Sequence, residues 1–333
     1  MNSLELRASK AQTDARGASA RLVERLGVHN ISLLVALAIL VVIFGSLRGD
    51  VFFSSRNLLN IGLGITILGV LAMSQTVVIV GGGLDIAVGA TVGLTTVSTA
   101  MAIQATGSPA AGIVAGLMLG GLAGLVNGII ITYGRVNAVI ATLGTMAIFR
   151  GIAFIMSDGQ SIAIFSDTFR FIGIGRILGL PLLVWILVLT AIAFHLFLAR
   201  SIVGRNIYAL GGNAVVARFS GININRYRVG IYIMSGVAAG LAGILLAART
   251  GSGQPVSGSQ GLELEAITAA VLGGCALQGG KGTIVGALLG VAIIGVLNNG
   301  MILTSVPTFY QLLAKGSLLI LAVVIAEYHL NRT

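Results

Sequence analysis

Apolar residues run along this chain in long blocks separated by short polar clusters. Ten blocks stand out: Ile31–Leu47, Leu58–Val80, Ile86–Gln104, Ala110–Thr132, Ala138–Met156, Ile177–Leu198, Val229–Ala248, Leu264–Leu277, Thr283–Met301 and Thr308–Ala326. A helix that crosses the hydrocarbon core of a bilayer needs about 20 predominantly apolar residues. Most of the blocks approach that length. Leu264–Leu277 is shorter and runs through Gly273-Gly274, which predicts a broken helix. Irregular backbone is tolerated at membrane depth only when protein buries it or it lines a cavity. The pattern therefore predicts an all-α, polytopic transmembrane bundle of about ten spans with one or more broken or re-entrant helices. Its membrane domain covers 31–326, and the span count is left open around 81–85 and 262–282.

Composition agrees. Of 333 residues, 56% are hydrophobic and 9% charged, against roughly 25% charged in a soluble domain. Glycine numbers 48, and many glycines sit inside apolar blocks, as at Gly116, Gly120, Gly121 and Gly124. Small residues let membrane helices approach closely. Residues 1–30 form a tail with five basic and three acidic residues, and no A-x-A site follows the first apolar block. They read as a cytoplasmic tail rather than a signal peptide, and 327–333 as a second tail.

Charge then orients the chain. The segment Arg200–Arg228 carries five arginines and no acidic residue, and short basic loops mark the cytoplasmic face. With the N-terminus inside, Arg135, the basic segment and Arg332 all fall inside. Loops 48–57 and 157–176 fall outside and mix signs, Arg48 with Asp50, and Arg170 and Arg176 with Asp158 and Asp167. Within the loop 199–228, Asn213 fits a helix start, Ala214–Ser220 two helical turns, and Gly221 the left-handed position past the end. The segment reads either as a topology-setting loop or as a docking surface for a cytoplasmic partner. The net charge of +10 sits in such loops without a basic–aromatic face, so no nucleic-acid site is expected. Cys275 is the sole cysteine, and His29, His195 and His329 are far apart, so neither a disulfide framework nor a metal site is expected.

A weak internal similarity is present. Val88-Gly-Ala-Thr-Val-Gly93 resembles Val285-Gly-Ala-Leu-Leu-Gly290, each after a glycine-rich turn, Gly81–Gly83 or Gly279–Gly282, and Asn127-Gly128 and Asn299-Gly300 follow. Duplication, frequent in transporters, and chance similarity among Gly/Val/Ala-rich stretches both account for it.

Candidate chemistry is sparse. Of ten acidic residues only Asp85, Glu263 and Glu265 lie at or near apolar blocks. An ion-coupled carrier usually carries ionisable groups near the midplane, so ion coupling is disfavoured. Glu263-Leu-Glu265 has no partner acid for glycoside chemistry and reads as a helix end beside an outer loop. No G-x-x-x-x-G-K-[ST] loop is present; Gly279-Gly280-Lys281-Gly282 lacks the first glycine and the hydroxyl residue. ATP hydrolysis, if used, belongs to another chain. Asp85 reads as the N-cap of a helix beginning near Ile86, or as a contact to substrate or a neighbouring helix. Arg150 lies inside Ala138–Met156, where a charge costs at least about 2.5 kcal/mol at a helix centre unless it snorkels or pairs. It snorkels to the outer headgroups, or it pairs or faces the pore.

At this point the residues resemble a known family. Gly82-Gly-Leu-Asp-Ile-Ala-Val-Gly89 resembles the GGxDLSVG signature of the permeases of ribose-type ABC importers, the second carbohydrate-uptake family. The likeness continues, in family order, through Asn127-Gly128, Val136–Gly144 with Thr142, Arg150-Gly151, Gly204–Asn213, Ala217–Ile222, Glu263–Ile267, Gly273-Gly274, Gly279-Gly280 and Tyr310-Gln311. Ile86-Ala87 stands where Leu-Ser is common, and Asn137 where Pro is common. The resemblance implies a bacterial inner-membrane permease with both termini cytoplasmic, forming a homodimer or a heterodimer with a sister permease. It implies a cytoplasmic ABC ATPase that holds ATP and magnesium, an extracytoplasmic sugar-binding protein, and no cofactor or catalytic residue on this chain. The coupling helix would comprise Asn213, Ala214, Ala217, Arg218, Phe219, Ser220 and Gly221. Asp85, Asn127, Thr142, Arg150, Glu263 and Glu265 are the translocation or gating candidates. The cargo would be a monosaccharide such as ribose, xylose, arabinose or galactose, or a sugar-like compound such as inositol or autoinducer-2. An ion-coupled secondary carrier, and a membrane scaffold or receptor without transport, are the readings of other classes.

Overall fold

A computed structural model describes residues 29–330, so the tail positions 1–28 and 331–333 lie outside the described residues. The long helices are α1 (His29–Phe52), α2 (Ser55–Val80), α3 (Val88–Thr106), α4 (Pro109–Thr132) and α5 (Ala138–Ser157). Helix α6 (Asp167–Ile174) is short and precedes α7 (Leu182–Arg200). Then come α8 (Ile202–Gly212), α9 (Ala214–Phe219), α10 (Ile224–Thr250), α11 (Leu262–Leu272), α12 (Ile284–Leu303) and α13 (Thr308–Leu330). Eight of these helices are long and apolar enough to cross a membrane. All ten apolar blocks map onto helices, and the chain is a polytopic helical membrane protein.

The boundaries differ where local chemistry intervenes. The block Ile177–Leu198 loses its first residues because Arg176-Ile177 and Leu180-Pro181 pair as a hairpin. Leu178 and Gly179 both take positive φ, 53° and 82°, as a two-residue type I′ turn requires. Pro181 then stands at the N-cap of α7. Helix begins at His29 and continues to Leu330, so it reaches into both segments expected as tails, 1–30 and 327–333. The C-terminal part of the expected loop 199–228 belongs to α10, whose N-cap Asn223 accepts from the Arg226 N–H at 3.1 Å. One helix went unread altogether: α8 begins where Ser201 accepts from the Gly204 N–H at 2.9 Å, and its Gly211-Gly212 end disguised it as loop.

Helices α2, α3 and α10 are the buried centre, while α1, α5 and α7 expose apolar faces, the reverse of a water-soluble surface. The interior glycines find their partner in α10. A Cβ on Gly120 would overlap the Gly236 carbonyl oxygen and one on Gly124 the Tyr232 carbonyl oxygen. These two helices therefore pack backbone to backbone, where dispersion contacts replace the absent hydrophobic drive.

The eighth block is broken, as its length predicts. Helix α11 has 11 residues and spans about 16 Å at 1.5 Å per residue, half a bilayer core. The chain before it descends without helix beside α3, where Gln254 N–H donates to Thr96 Oγ1 at 3.0 Å and Thr96 Oγ1 donates to the Gln254 carbonyl at 2.7 Å. Gly93 faces the Pro255 carbonyl and Gly89 the Ser259 carbonyl. On the other side Gly286 and Gly290 of α12 meet the carbonyls of Gly273 and Ala269. The two similar motifs, 88–93 and 285–290, thus hold equivalent positions on either side of the broken segment.

One end of the bundle gathers the basic features. His29 Nε2 lies 3.2 Å from the Leu272 carbonyl, and Ala322 of α13 clusters with Ile79 and Cys275. The starts of α1, α10 and α12, the late part of α13 and the loop helices α8 and α9 share that end.

Candidate functional site

The glycine-rich turn after α2 places Asp85 in the protein interior, 2% exposed. Its Oδ2 accepts from Ser235 Oγ of α10 at 2.8 Å, and its Oδ1 from the Ala87 N–H at 3.1 Å and from Asn127 Nδ2 of α4 at 3.4 Å. Gln75 Nε2 of α2 donates to the Asp85 carbonyl at 2.7 Å, and Tyr232 Oη of α10 to the Leu84 carbonyl at 3.2 Å. One carboxylate and its turn therefore tie α2, α3, α4 and α10 together. The N-cap expectation is corrected: α3 begins at Val88 and its N-cap, Ala87, makes no side-chain cap bond. Asp85 closes a turn one step earlier, and its second oxygen serves another helix.

The structure unites two of the six pathway candidates, Asp85 and Asn127. Gln75, Tyr232 and Ser235 complete the cluster and were missed. They stand in largely apolar helices where only the fold shows which way each polar side chain faces. Thr142 is buried, and its Oγ1 donates to the Ala138 carbonyl of its own helix at 2.8 Å. Arg150 is half-buried about two-thirds along α5, and among the described residues its guanidinium forms no ion pair. Glu263 and Glu265 lie in the first turn of α11, at a helix end as expected, but the chain before it packs on α3 instead of forming an outer loop. Glu265 Oε1 pairs with Lys315 Nζ of α13 at 2.7 Å. Glu263 is buried against Gly89, with Oε2 unpartnered. It faces α3 four residues after Asp85, so the two carboxylates flank the first turn of that helix.

The basic loop forms the predicted short helix. Asn213 Oδ1 accepts from the N–H groups of Val215 and Val216 at 3.0 and 3.1 Å. The helix ends at Phe219, one residue early, with Ser220 as C-cap. Gly221 takes φ +84°, and the Ile222 N–H donates back to the Ala217 carbonyl at 3.1 Å, a Schellman-type closure. Ala217 is the buried anchor. Val215, Val216 and Phe219 are exposed, Phe219 to 86%, with Arg218 beside them.

The loop also touches the interior. The Gly280 N–H donates to the Val80 carbonyl at 2.8 Å, so the two glycine-rich turns meet. Gly211 of α8 is wedged against both, and a Cβ there would overlap the Val80 carbonyl oxygen. Tyr208 Oη of α8 donates to the Gly282 carbonyl at 2.6 Å. The loop helix α8 thus contacts both of the turns that precede α3 and α12. Among the described residues no His, Cys, Asp and Glu cluster could hold a metal ion.

Residues 57–323 match the family described as branched-chain amino acid transport system / permease component. The chain is 40% identical over 296 residues to the ribose import permease RbsC of Escherichia coli K12, covering 88% of this chain and 92% of that protein. It is 36% identical over 327 residues to the L-arabinose ABC transporter permease AraH of Azospirillum brasilense, covering 98% and 94%. To the D-allose transport system permease AlsC of Escherichia coli K12 it is 38% identical over 288 residues, covering 86% and 88%. No solved structure matches.

Proposed function

Given that the chain belongs to the family of ribose-type ABC-importer permeases, we propose that it is the membrane-spanning subunit of an ATP-driven importer whose cargo is a monosaccharide. The observation that carries this is identity of 36–40% over nearly the whole chain to permeases named for ribose, arabinose and allose. The family description names branched-chain amino acids, but three sugar-named relatives matched along most of their length weigh more.

The chain makes and breaks no covalent bond. Its work is alternating access: ATP and magnesium are held by two ATPase subunits at the end carrying α8 and α9, which is the cytoplasmic face, as are both termini. A sugar-binding protein docks at the opposite end, and a second permease completes the pathway. Helix α9 presents Val215, Val216 and Phe219 beside Arg218, an apolar knob with a positive rim suited to a groove on the ATPase. Its motion reaches the interior through Gly211 and Tyr208. Asp85 with Asn127 and Ser235, and Glu263 beside Gly89, are the polar groups placed to respond.

The test combines purification with uptake. In mild detergent an ABC ATPase should copurify, and deletion of the gene should abolish uptake of at least one labelled sugar from ribose, arabinose and allose while leaving leucine uptake intact. Loss of leucine uptake alone would replace the cargo. Transport that persists without any ATPase would overturn the mechanism.

A further inference from the structure

The unwound stretch that leads into α11 lies deep in the membrane. Its Ser259 carbonyl stands beside Gly89 in the first turn of α3. From there the rest of α3, as far as Thr106, adds about 26 Å at 1.5 Å per residue. In the other direction α11 carries the chain about 16 Å, from Leu262 to Leu272 at the α8 end. A bilayer core is about 30 Å thick, and about 40–45 Å with its headgroups. Both distances therefore put residues 256–261 near the middle of the membrane.

The two sides of this stretch differ. Gly253, Pro255 and Ser259 are buried, and Gly89 and Gly93 let α3 approach its carbonyls. On the other side Ser257, Gly258 and Gln260 are exposed, and a Cβ on Gly261 would meet nothing within 4 Å. Among the described residues the Ser257 hydroxyl and the Gln260 amide form no hydrogen bond. Non-helical backbone does not face lipid at this depth; it is buried by protein or lines a water-filled space. The chain itself leaves this side uncovered, and the groups shown there are a hydroxyl and an amide rather than an apolar seam.

Resting on the sugar-importer reading above, we propose that Ser257 and Gln260 are this chain's contacts to the sugar, on a ledge halfway along the pathway. No residue from Gly251 to Leu262 is charged. Hydroxyl and amide groups both donate and accept hydrogen bonds, which matches the hydroxyls of a neutral sugar. The ledge offers no counter-charge to a phosphate ester or to the carboxylate and ammonium of an amino acid. Helix α11 begins directly after Gly261, so a shift of α11 carries the ledge with it.

Thiol labelling tests whether the ledge is wet and whether sugar covers it. Ser257→Cys and Gln260→Cys are compared with Leu189→Cys, an exposed apolar position in the middle of α7. Each chain is assembled with its partner subunits in proteoliposomes and treated, during ATP turnover, with a charged methanethiosulfonate that does not enter hydrocarbon. Cys275 is buried and keeps the background low. Both ledge cysteines should react and Leu189→Cys should not. Ribose, L-arabinose or D-allose, supplied with the binding protein, should slow the ledge reaction. Gln260→Ala should lower uptake of at least one of these sugars roughly fivefold or more, and of the three to different extents, with ATPase copurification unchanged; a merely structural loss lowers all alike. Ledge cysteines no more reactive than Leu189→Cys, or reactive without protection by a sugar that the same vesicles take up, overturn the proposal. If the wild type takes up none of the three sugars, the importer reading fails first and takes the sugar contact with it; the wild type alone tells that outcome from the others.

Discussion

Asp85 is held by neutral partners alone: a serine hydroxyl, an amide side chain and a backbone N–H. Its charge is therefore separable from its geometry. Asparagine can still accept from the Ala87 N–H and Asn127, and its amide can donate to the Ser235 hydroxyl, which serves as donor or acceptor. Asp85→Asn should fold and assemble normally. Asp85→Ala leaves buried Ser235 and Asn127 without their partner, a loss of about 1–3 kcal/mol for each group stranded, and should lower the midpoint of thermal unfolding by several degrees. If Asp85→Asn assembles yet transports nothing, the carboxylate charge itself acts in gating. Two adjacent glycines give a second test at this scale. Gly211→Ala should impair ATPase stimulation in the reconstituted complex, because its Cβ meets the Val80 carbonyl. Gly212→Ala, with nothing within 4 Å, should leave stimulation near wild type; equal behaviour of the two would remove the junction from the coupling route.

Among elements, the α4–α10 pair depends on which face of α4 carries its glycines. Gly120→Ala should destabilise the chain by about 1–3 kcal/mol, the usual range for forcing extra atoms into a packed contact. Its neighbour Gly121 meets only a flexible valine methyl at 3.3 Å, so Gly121→Ala should be close to neutral in the same melt. Helix α9 acts outward instead. Arg218→Glu reverses the charge on its exposed rim without touching the buried anchor Ala217, so the chain should insert with unchanged stability but lose ATPase copurification. Undiminished copurification and uptake would detach α9 from the partner.

For the whole molecule, the end that carries α1's start, α8, α9 and the late part of α13 is expected to face the cytoplasm. Cys275 is fully buried, so it contributes little background to thiol labelling. Phe165→Cys, on the opposite end at a 91% exposed position, should react with a membrane-impermeant maleimide in right-side-out vesicles. Val215→Cys, which leaves the Asn213 cap intact, should react only after the vesicles are opened. The reverse pattern inverts the topology.

Much of this protein was legible in one dimension because the bilayer constrains each segment separately. An apolar block of sufficient length must be helical wherever its neighbours lie, so the blocks, the short broken segment near 264–277 and the clustering of arginines required no knowledge of packing. The α9 cap and its glycine stop were equally local, set by hydrogen bonds within a few residues. What remained hidden depended on direction and distance across the fold. Ser235, Tyr232 and Gln75 stand in largely apolar helices, and only the packing turns them toward the turn at Asp85. The same holds for the pairing of Glu265 with Lys315, 50 residues apart. Helix α8 was concealed because its terminal glycines, which mark a loop in isolation, are there to let two other glycine turns approach. Arg135, just after α4, and Arg228 of α10 lie on separate stretches of chain and line one cavity, which exists only where α4, α5 and α10 converge.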